Sequence, residues 1–482
     1  MKKAVKLLIY LVGIVIVVIG VFGSYLLWSF SLPAIYENTY YAALVDKVDL
    51  LERHKSDKKI ILIGGSNVAF GFNSGLLESE FPEYKVINFG LYANLGTKLM
   101  MDLAKDYIGA GDKVFLIPET NKQSMSLYFS PVNTWKAIET QMSLYKKLPA
   151  DNKELMRGNY FAYINEKKSF KEVLPGTGIY QRNNFNEYMD FEYIEEGESL
   201  RVQNQMAQRF DPTMLIDYSS ALFDYEFFDY ANDYNYYVNK QGAKMYFAFC
   251  PINALAITNY NEADITNFYW DLRAYLDFPV IGNPFDYHIA ANYFFDSNFH
   301  LNDAGAILRT RILANDIYRD VLKKEIEASI AIPEVPKFPD VVMGEDSEEA
   351  KYFNYKENET GYTLTSIKTE YLHLDTIVLP KFLNGKTFNT IGTGCFEHSE
   401  NLEILVLPKT ITVLENGSFK NNHKLMSVKI LYDDPTKIQV DYLGGVTEGV
   451  LEGFKILVPE HSRLNFMTDY YWSAYSAYFE GY

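Results

Sequence analysis

Cysteine is nearly absent from this chain of 482 residues, which contains only Cys250 and Cys395. The first lies in an apolar run and the second in a repeat, so both are predicted to be small buried apolar side chains. This reading disfavours a disulfide or a pair of metal ligands. Cys/His sets with the spacing of a zinc site are also lacking, so no metal site is expected.

Basic residues are fewer than acidic ones, with 45 Lys and Arg against 62 Asp and Glu and a formal net charge of -17. Nucleic acid is therefore disfavoured as a partner, because phosphate binding needs a basic face. The same charge disfavours a chain that lies flat on an anionic membrane. Disorder is disfavoured too, since 48% of the residues are hydrophobic and 16% aromatic. The length predicts two to four domains.

Charged side chains are absent from residues 7–32. At a rise of 1.5 Å per residue, this run spans roughly 39 Å, more than a hydrocarbon core of ~30 Å requires. Three lysines precede it, so the positive-inside rule predicts that the rest of the chain lies outside the cytoplasm. A cleaved signal peptide would have a shorter apolar region. Residues 1–32 are therefore predicted to form a single-pass anchor in the cell membrane, followed by a short helical stalk over 33–55.

Strand and helix patterns alternate from residue 56 onward. Buried strands are predicted at 60–63, 85–88, 113–118 and 244–249, with helices at 76–81, 96–108 and 304–323. Continuous apolar strands separated by helices indicate a parallel sheet that is covered on both faces. Because the crossovers are right-handed, the predicted fold class is a doubly wound α/β domain.

An insertion rich in Tyr, Phe, Asn and Asp interrupts this alternation over residues 122–235. Such a composition suits a carbohydrate groove, because aromatic faces stack on sugars while amides and carboxylates bind hydroxyls. The alternative is that the aromatic side chains pack in a local core. Prolines and acidic residues predict a linker over 326–350, which would separate an α/β domain, 56–325, from a C-terminal domain, 351–482.

The C-terminal domain contains an internal repeat. Phe396 and Phe419 are 23 residues apart, as are Leu402 and Leu425. A fixed period of this length is typical of a solenoid, in which each unit buries its apolar face on the next. Over roughly residues 365–482 the pattern resembles the leucine-rich repeats of bacterial surface proteins (BspA-like). The resemblance implies binding of host surfaces or envelope polymers; a solenoid that only spaces or oligomerises is the alternative.

Three residues carry the chemistry of the α/β domain. Ser66 follows two glycines at a strand end, where a tight turn and the N–H groups of a following helix favour a developing oxyanion. Asp296 precedes His300, one of only seven histidines, by four residues. Serine, histidine and aspartate are the components of a nucleophilic acyl-transfer site. Each also has a simpler reading, because many such turns bind phosphate or only turn the chain, and a lone late histidine is usually structural.

Together these residues resemble the SGNH/GDSL hydrolase superfamily over roughly residues 56–325. The nearest branch is the membrane-anchored one, with the D-alanyl transfer proteins of teichoic acid synthesis and the alginate and peptidoglycan O-acetyltransferases. The resemblance implies a flavodoxin-like three-layer fold with Ser66 as nucleophile. It makes His300 the general base and Asp296 the group that orients the imidazole. It implies no metal and no organic cofactor.

The same resemblance implies two oxyanion donors, the backbone N–H of Gly90 and the side chain of Asn121. The chain departs from the family pattern at four points. No Asp precedes Ser66, Ala93 stands where many members carry a glycine, and the block around Asn121 is not Gly-x-Asn-Asp. Finally, Asp296 lies four residues before the histidine rather than three, a form that fits the anchored branch.

The main hypothesis is therefore an anchored extracytoplasmic serine esterase or O-acyltransferase. It would act on acyl esters, acetyl foremost, of an envelope glycopolymer, in a cleft open to the outside. One alternative is a surface adhesion or scaffold protein in which the repeats bind a surface ligand and the α/β domain is inert. Another is a noncatalytic partner of a membrane acyltransferase. The pattern does not separate hydrolysis from transfer.

Overall fold

The computed structural model describes residues 2–482 except 171–172, 175–177, 207, 339–343, 421 and 442–443; the side chains of 2–5 and 7–9 are also outside the description. Its α-helices are α1 Lys2–Ser31, α2 Ala43–Arg53, α3 Ser66–Ala69, α4 Ser74–Glu80, α5 Thr97–Ala104, α6 Pro131–Ala137, α7 Ala150–Gly158, α8 Tyr160–Lys167, α9 Tyr225–Lys240, α10 Glu262–Tyr275, α11 Asp303–Asp316 and α12 Arg463–Thr468.

A four-stranded parallel sheet forms the centre of the first large unit. Its strands are β1 Lys59–Gly64, β2 Lys85–Gly90, β3 Lys113–Ile117 and β4 Lys244–Phe247, in the order β2-β1-β3-β4. Every neighbouring pair is parallel. The predicted parallel α/β sheet is therefore confirmed, with strand ends within about two residues of those expected from the sequence.

Both faces of this sheet are buried. On β1, Ile61 and Ile63 join the core shared with α2 and α5, whereas Ile60 and Leu62 join a second core that includes side chains of α4 and α11. Two buried faces explain why each strand is a continuous apolar run rather than an alternating one. The predicted helix over 304–323 is shorter than expected, because α11 passes into a π-helical turn, Ile317–Val321.

The N-terminal helix α1 is the one described helix that is long and apolar enough to cross a membrane, over Tyr10–Ser31 with a mean hydropathy of 2.5. Its most apolar window is not buried against the protein. The predicted stalk is wrong, because the chain enters the core almost directly after α1. Tyr40, Leu44 and Leu51 are buried there, in and before α2.

The insertion adds aromatic side chains to the main core rather than to a core of its own. Trp135, Tyr163, Phe191 and Phe227 are all buried in the cluster that covers one face of the central sheet. The last part of the insertion is α9, which packs against β4. These positions agree with the alternative that the aromatic side chains of the insertion pack in a core. The expectation that this core is local to the insertion is wrong.

The C-terminal unit contains ten described strands, β5 Phe353–Asn358, β6 Gly361–Ile367, β7 Thr376–Val378, β8 Phe382–Leu383, β9 Lys386–Ile391, β10 Ile404–Leu407, β11 Val413–Leu414, β12 Ser427–Ile430, β13 Lys455–Val458 and β14 Phe479–Gly481. One sheet has the order β7-β10-β12-β13-β14 and is parallel throughout. A second sheet pairs β6, β9 and β11 in parallel, with β5 and β8 added antiparallel.

The strand register follows the sequence repeat. Ile404 pairs with Ser427 and Leu405 with Val428, an offset of 23 residues. The rings of Phe396 and Phe419 are neighbours in the core, with centroids 6.0 Å apart. Residues one repeat apart therefore lie side by side, as the period predicts for stacked units.

Candidate active site

Ser66 lies where β1 ends and α3 begins, at the carboxyl edge of the central sheet. The turn needs glycine, because a Cβ on Gly64 would lie 2.4 Å from the carbonyl oxygen of Ile117 on β3. In the order β2-β1-β3-β4 the connections diverge between β1 and β3, and ligand sites of parallel sheets form at such switch points. The serine hydroxyl therefore has the position that a functional group would occupy in this type of sheet.

The structure brings Ser66, His300 and Asp296 together. Ser66 Oγ lies 2.7 Å from His300 Nε2, and His300 Nδ1 lies 2.8 Å from Asp296 Oδ1. The hydroxyl of Tyr180 donates to the other carboxylate oxygen, Asp296 Oδ2, at 2.7 Å. This chain of contacts fits a base that takes the serine proton and a carboxylate that fixes the imidazole tautomer.

The imidazole is held on its face as well as at both nitrogens. The ring of Phe70, just after α3, stacks on His300 with centroids 4.1 Å apart and an angle of 9° between the planes. The loop that carries the histidine is closed by the Phe295 N–H, which donates to the His300 carbonyl at 2.8 Å. Behind it, the Asn302 side chain accepts from Gly305 N at 3.0 Å and caps α11. The imidazole is thereby oriented before any substrate arrives.

Glu119 is a member of this site that the sequence reading missed. Its Oε1 lies 3.1 Å from Ser66 Oγ and accepts from Asn67 N at 3.4 Å, and the carboxyl group is buried. Burial raises the pKa of this carboxyl group, while His300 and the donors around it oppose the rise. A signal was present, because Glu119 follows β3 across the switch point from Ser66.

The two expected oxyanion donors have other partners. The Gly90 N–H donates to Asn88 Oδ1 at 3.1 Å, and a Cβ on Gly90 would lie 2.3 Å from that of Val68, so this glycine permits close packing. The Asn121 side chain donates to Glu119 Oε2 at 3.2 Å. Neither donor contacts Ser66 in this structure, and their expected role as oxyanion donors stays a prediction.

The site is closed rather than open, so the expected cleft is wrong for this structure. Ser66 is 0% exposed and His300 1%. The hydroxyl of Tyr470, from the C-terminal unit, lies 3.4 Å from Ser66 Oγ. Its ring stacks on Tyr180 with centroids 4.9 Å apart, and its carbonyl accepts from the Tyr92 hydroxyl at 2.8 Å. Tyr470 thus fills the space in front of the serine.

Further contacts dock the C-terminal unit on the α/β unit near the site. Gln439 Nε2 donates to the carbonyl of Asp296 at 2.8 Å, and Gln208 Nε2 donates to Thr390 Oγ1 at 2.5 Å. The predicted linker does not hold the two units apart, since its Ile330 is buried against the α/β core. Residues 339–343 of that linker lie outside the described part of the chain.

Two crevices flank the segment that carries Tyr470. One, of about 120 Å³, is lined by residues that include Tyr180 and Asp469. The other, of about 420 Å³, is lined by residues that include Tyr36 and Ser473. Thr468 lines both, so the turn that covers the serine is bordered by open space on two sides.

Asp469 stabilises this turn through its side chain, which accepts from Tyr471 N at 2.9 Å and Trp472 N at 3.2 Å through one oxygen, Oδ1. Burial raises the pKa of Asp469 from 3.8 to about 7, and nearby Asp434 and Asp296 add to the rise. Between pH ~4 and ~7 the folded protein therefore holds a proton that the unfolded chain has released. The free energy of unfolding therefore falls as the pH rises through this window. Above the window the buried charge of Asp469 destabilises the folded protein in full.

We expect Asp469→Asn to stabilise the protein at pH 8, because an amide keeps the Oδ1 acceptor without the buried charge. The Tm should rise by several degrees at pH 8 and converge with that of the wild type below about pH 4. Asp217→Asn is the matched control. Its exposed carboxylate accepts from Ser219 and has a lowered pKa, so this variant should lose stability at pH 8. If the Tm of Asp469→Asn differed from that of the wild type by the same amount at pH 8 and at the low pH, the raised pKa of Asp469 would be contradicted.

Among the described residues, no group of three or more His, Cys, Asp or Glu side chains has the arrangement of a metal site. Cys250 and Cys395 are buried and unpaired with each other. Models of known protein families give no match to this chain, and no curated protein matches it either.

Proposed function

We propose that this chain is a membrane-anchored extracytoplasmic serine esterase or O-acyltransferase that acts on acyl esters, acetyl foremost, of an envelope glycopolymer. The observation that carries the proposal is the hydrogen-bonded series Ser66–His300–Asp296. Its two contacts, of 2.7 and 2.8 Å, lie at the carboxyl edge of a parallel sheet. In the proposed reaction Ser66 attacks the ester carbonyl after His300 takes its proton, and water or a sugar hydroxyl then accepts the acyl group.

The proposal includes a finer description of the fold. We infer an SGNH-like, doubly wound flavodoxin-like domain, which the strand order β2-β1-β3-β4 supports. We infer a leucine-rich repeat solenoid from the 23-residue register between β10 and β12. We infer that α1 spans the cell membrane once with the bulk of the chain outside, which its length and composition support.

Glu119 has a role in this proposal that differs from that of a second base. Burial raises the pKa of its carboxyl group, while His300 and the surrounding donors oppose the rise. Because its Oε1 lies 3.1 Å from Ser66 Oγ and 3.4 Å from Asn67 N, we propose that it positions the serine and the turn that carries it. Gly90 and Asn121 stay the proposed oxyanion donors beside it.

The test is an isosteric change at the aspartate. Asp296→Asn retains the shape of the side chain but favours the wrong imidazole tautomer, so turnover of a small acetyl ester should fall by about 10⁴-fold. The control is Asp303→Asn, on the next helix, whose carboxylate pairs with Arg201 away from the serine; it should retain activity. Undiminished turnover by folded Asp296→Asn would remove the catalytic assignment.

A second candidate function, binding through the repeats, is favoured by exposed apolar side chains on the outer side of the parallel stack. Val378, Ile404 and Met426 are all at least 40% exposed and belong to, or directly precede, the neighbouring strands β7, β10 and β12. They lie at different levels of the stack, since Val378 pairs with Val406 and Ile404 pairs with Ser427. Such binding is independent of the triad, so it would persist in the Asp296→Asn variant.

A further inference from the structure

Residues 131–170, called here the 131–170 segment, carry several exposed apolar side chains. The segment contains α6, α7 and α8. Leu155 on α7 is 49% exposed, Phe161 on α8 is 40% exposed and Met142 is 41% exposed. The rest of α7 and α8 packs inward through Met156, Tyr163 and Ile164, all of which are buried.

The segment is joined to the outer half of α1 by ring contacts. Phe161 lies against Phe22 and Tyr25, with centroids 5.9 and 5.5 Å apart. Tyr160 lies 5.8 Å from Phe30, centroid to centroid, and its hydroxyl is 2.9 Å from Ser29 Oγ. These contacts fix the height of α8 along the axis of α1.

That height lies within the bilayer if α1 spans it. Counted from Leu7, a hydrocarbon core of ~30 Å ends about twenty residues later, near Leu26. Phe22 is four residues earlier, roughly 6 Å inside that boundary. Phe161, which contacts Phe22, therefore lies at the depth of the outer leaflet and not above it. An exposed phenylalanine at this depth meets lipid rather than water.

The charge of the segment is opposite to that of the chain. Residues 131–170 contain seven Lys and Arg against four Asp and Glu, although the whole chain carries -17. Exposed Lys146, Lys147, Arg157 and Lys168 belong to it. Exposed apolar side chains next to basic ones are typical of a surface that binds anionic lipid headgroups.

We infer that the 131–170 segment lies in the outer surface of the bilayer, with Phe161 and Leu155 inserted among lipid chains and the basic residues among headgroups. This inference rests on the proposed anchoring by α1. It commits to lipid, because the surface is continuous with the membrane-spanning part of α1 and carries the complementary charge. The 420 Å³ crevice is partly lined by Lys136 and Phe170 of the same segment.

The experiment measures contact with lipid chains directly. The full chain is reconstituted in nanodiscs of mixed neutral and anionic lipid, one chain per disc, with brominated acyl chains as quenchers. A fluorophore is attached at Leu155→Cys or Phe161→Cys; the native cysteines are buried and stay unlabelled. Both positions should lose fluorescence to an extent comparable to that of Val17→Cys in the middle of α1, while Met426→Cys in the repeats should lose none.

The controls distinguish a failure of this inference from a failure of the proposed anchoring by α1. Quenching at Val17→Cys without quenching at positions 155 and 161 would show that α1 is inserted but the segment stands clear of lipid or is covered by protein, and the inference would be overturned. No quenching at Val17→Cys would overturn the proposed anchoring and the inference with it. Loss of catalytic turnover in Asp296→Asn is independent of both results, so a failed catalytic proposal would be recognised separately.

Discussion

Replacing Ser66 with alanine should abolish covalent labelling of the chain by a fluorophosphonate probe and reduce turnover of a small acetyl ester by about 10⁴- to 10⁶-fold. The reason is that the hydroxyl 2.7 Å from His300 Nε2 is the only proposed nucleophile. Labelling is measured by intact mass, and the labelled peptide identifies the modified serine. The wild type should gain one probe at Ser66.

Ser79→Ala is the matched control, since this serine lies on nearby α4 and donates only to the Gly75 carbonyl. Its labelling and turnover should equal those of the wild type. A folded Ser66→Ala variant that is still labelled to the same extent would show that the reactive residue lies elsewhere. If the probe labels neither the wild type nor a folded Tyr470→Ala variant, Ser66 is not an active serine.

Replacing Tyr470 with alanine should accelerate labelling of Ser66. Tyr470 occupies the space before the serine and makes ring contacts with Tyr180 and Tyr92, with centroids 4.9 and 4.3 Å apart. Aromatic pairs contribute ~0.5–1.5 kcal/mol each, so loss of two pairs should raise the open population on the order of tenfold. The measurement is the second-order rate of labelling at a fixed probe concentration.

Tyr470→Phe separates the ring from the hydroxyl. It keeps the two ring contacts, so labelling should stay within about twofold of the wild-type rate if the cover depends on packing. The double variant Tyr470→Ala/Ser66→Ala should not be labelled, which assigns any added label to Ser66. If Tyr470→Ala is folded and labels more slowly than the wild type, Tyr470 completes the site instead of covering it.

The central sheet and the three residues of the proposed triad were accessible from the sequence for physical reasons. A strand buried on both faces must be a continuous apolar run, and a serine after two glycines at its end must lie at the edge of the sheet. The Asp296–His300 pair is local, since four residues and one turn bring the two side chains together. Only the contact between Ser66 and His300, 234 residues apart, required the complete fold.

The parts that were missed depend on packing between distant segments. Glu119 lies in the site because β3 is adjacent to β1. The residues around Glu119 do not predict this strand order. Tyr470 reaches Ser66 because the C-terminal unit docks on the α/β unit, although a proline-rich linker pattern suggested separation. Local sequence patterns predict the structure of each unit. The docking of one unit on the other depends on shape complementarity over many residues.

The absence of a spacer after α1 limits the reach of the protein. Only Leu32, Pro33 and Ala34 lie between the end of α1 and the buried Ile35. Each of the four steps from Ser31 to Ile35 spans at most ~3.6 Å, so the first buried residue stays within about 14 Å of the end of α1. A body tethered this closely cannot sample distant layers of an envelope. If α1 spans the membrane as proposed, the body would therefore reach an envelope polymer only close to the lipid surface.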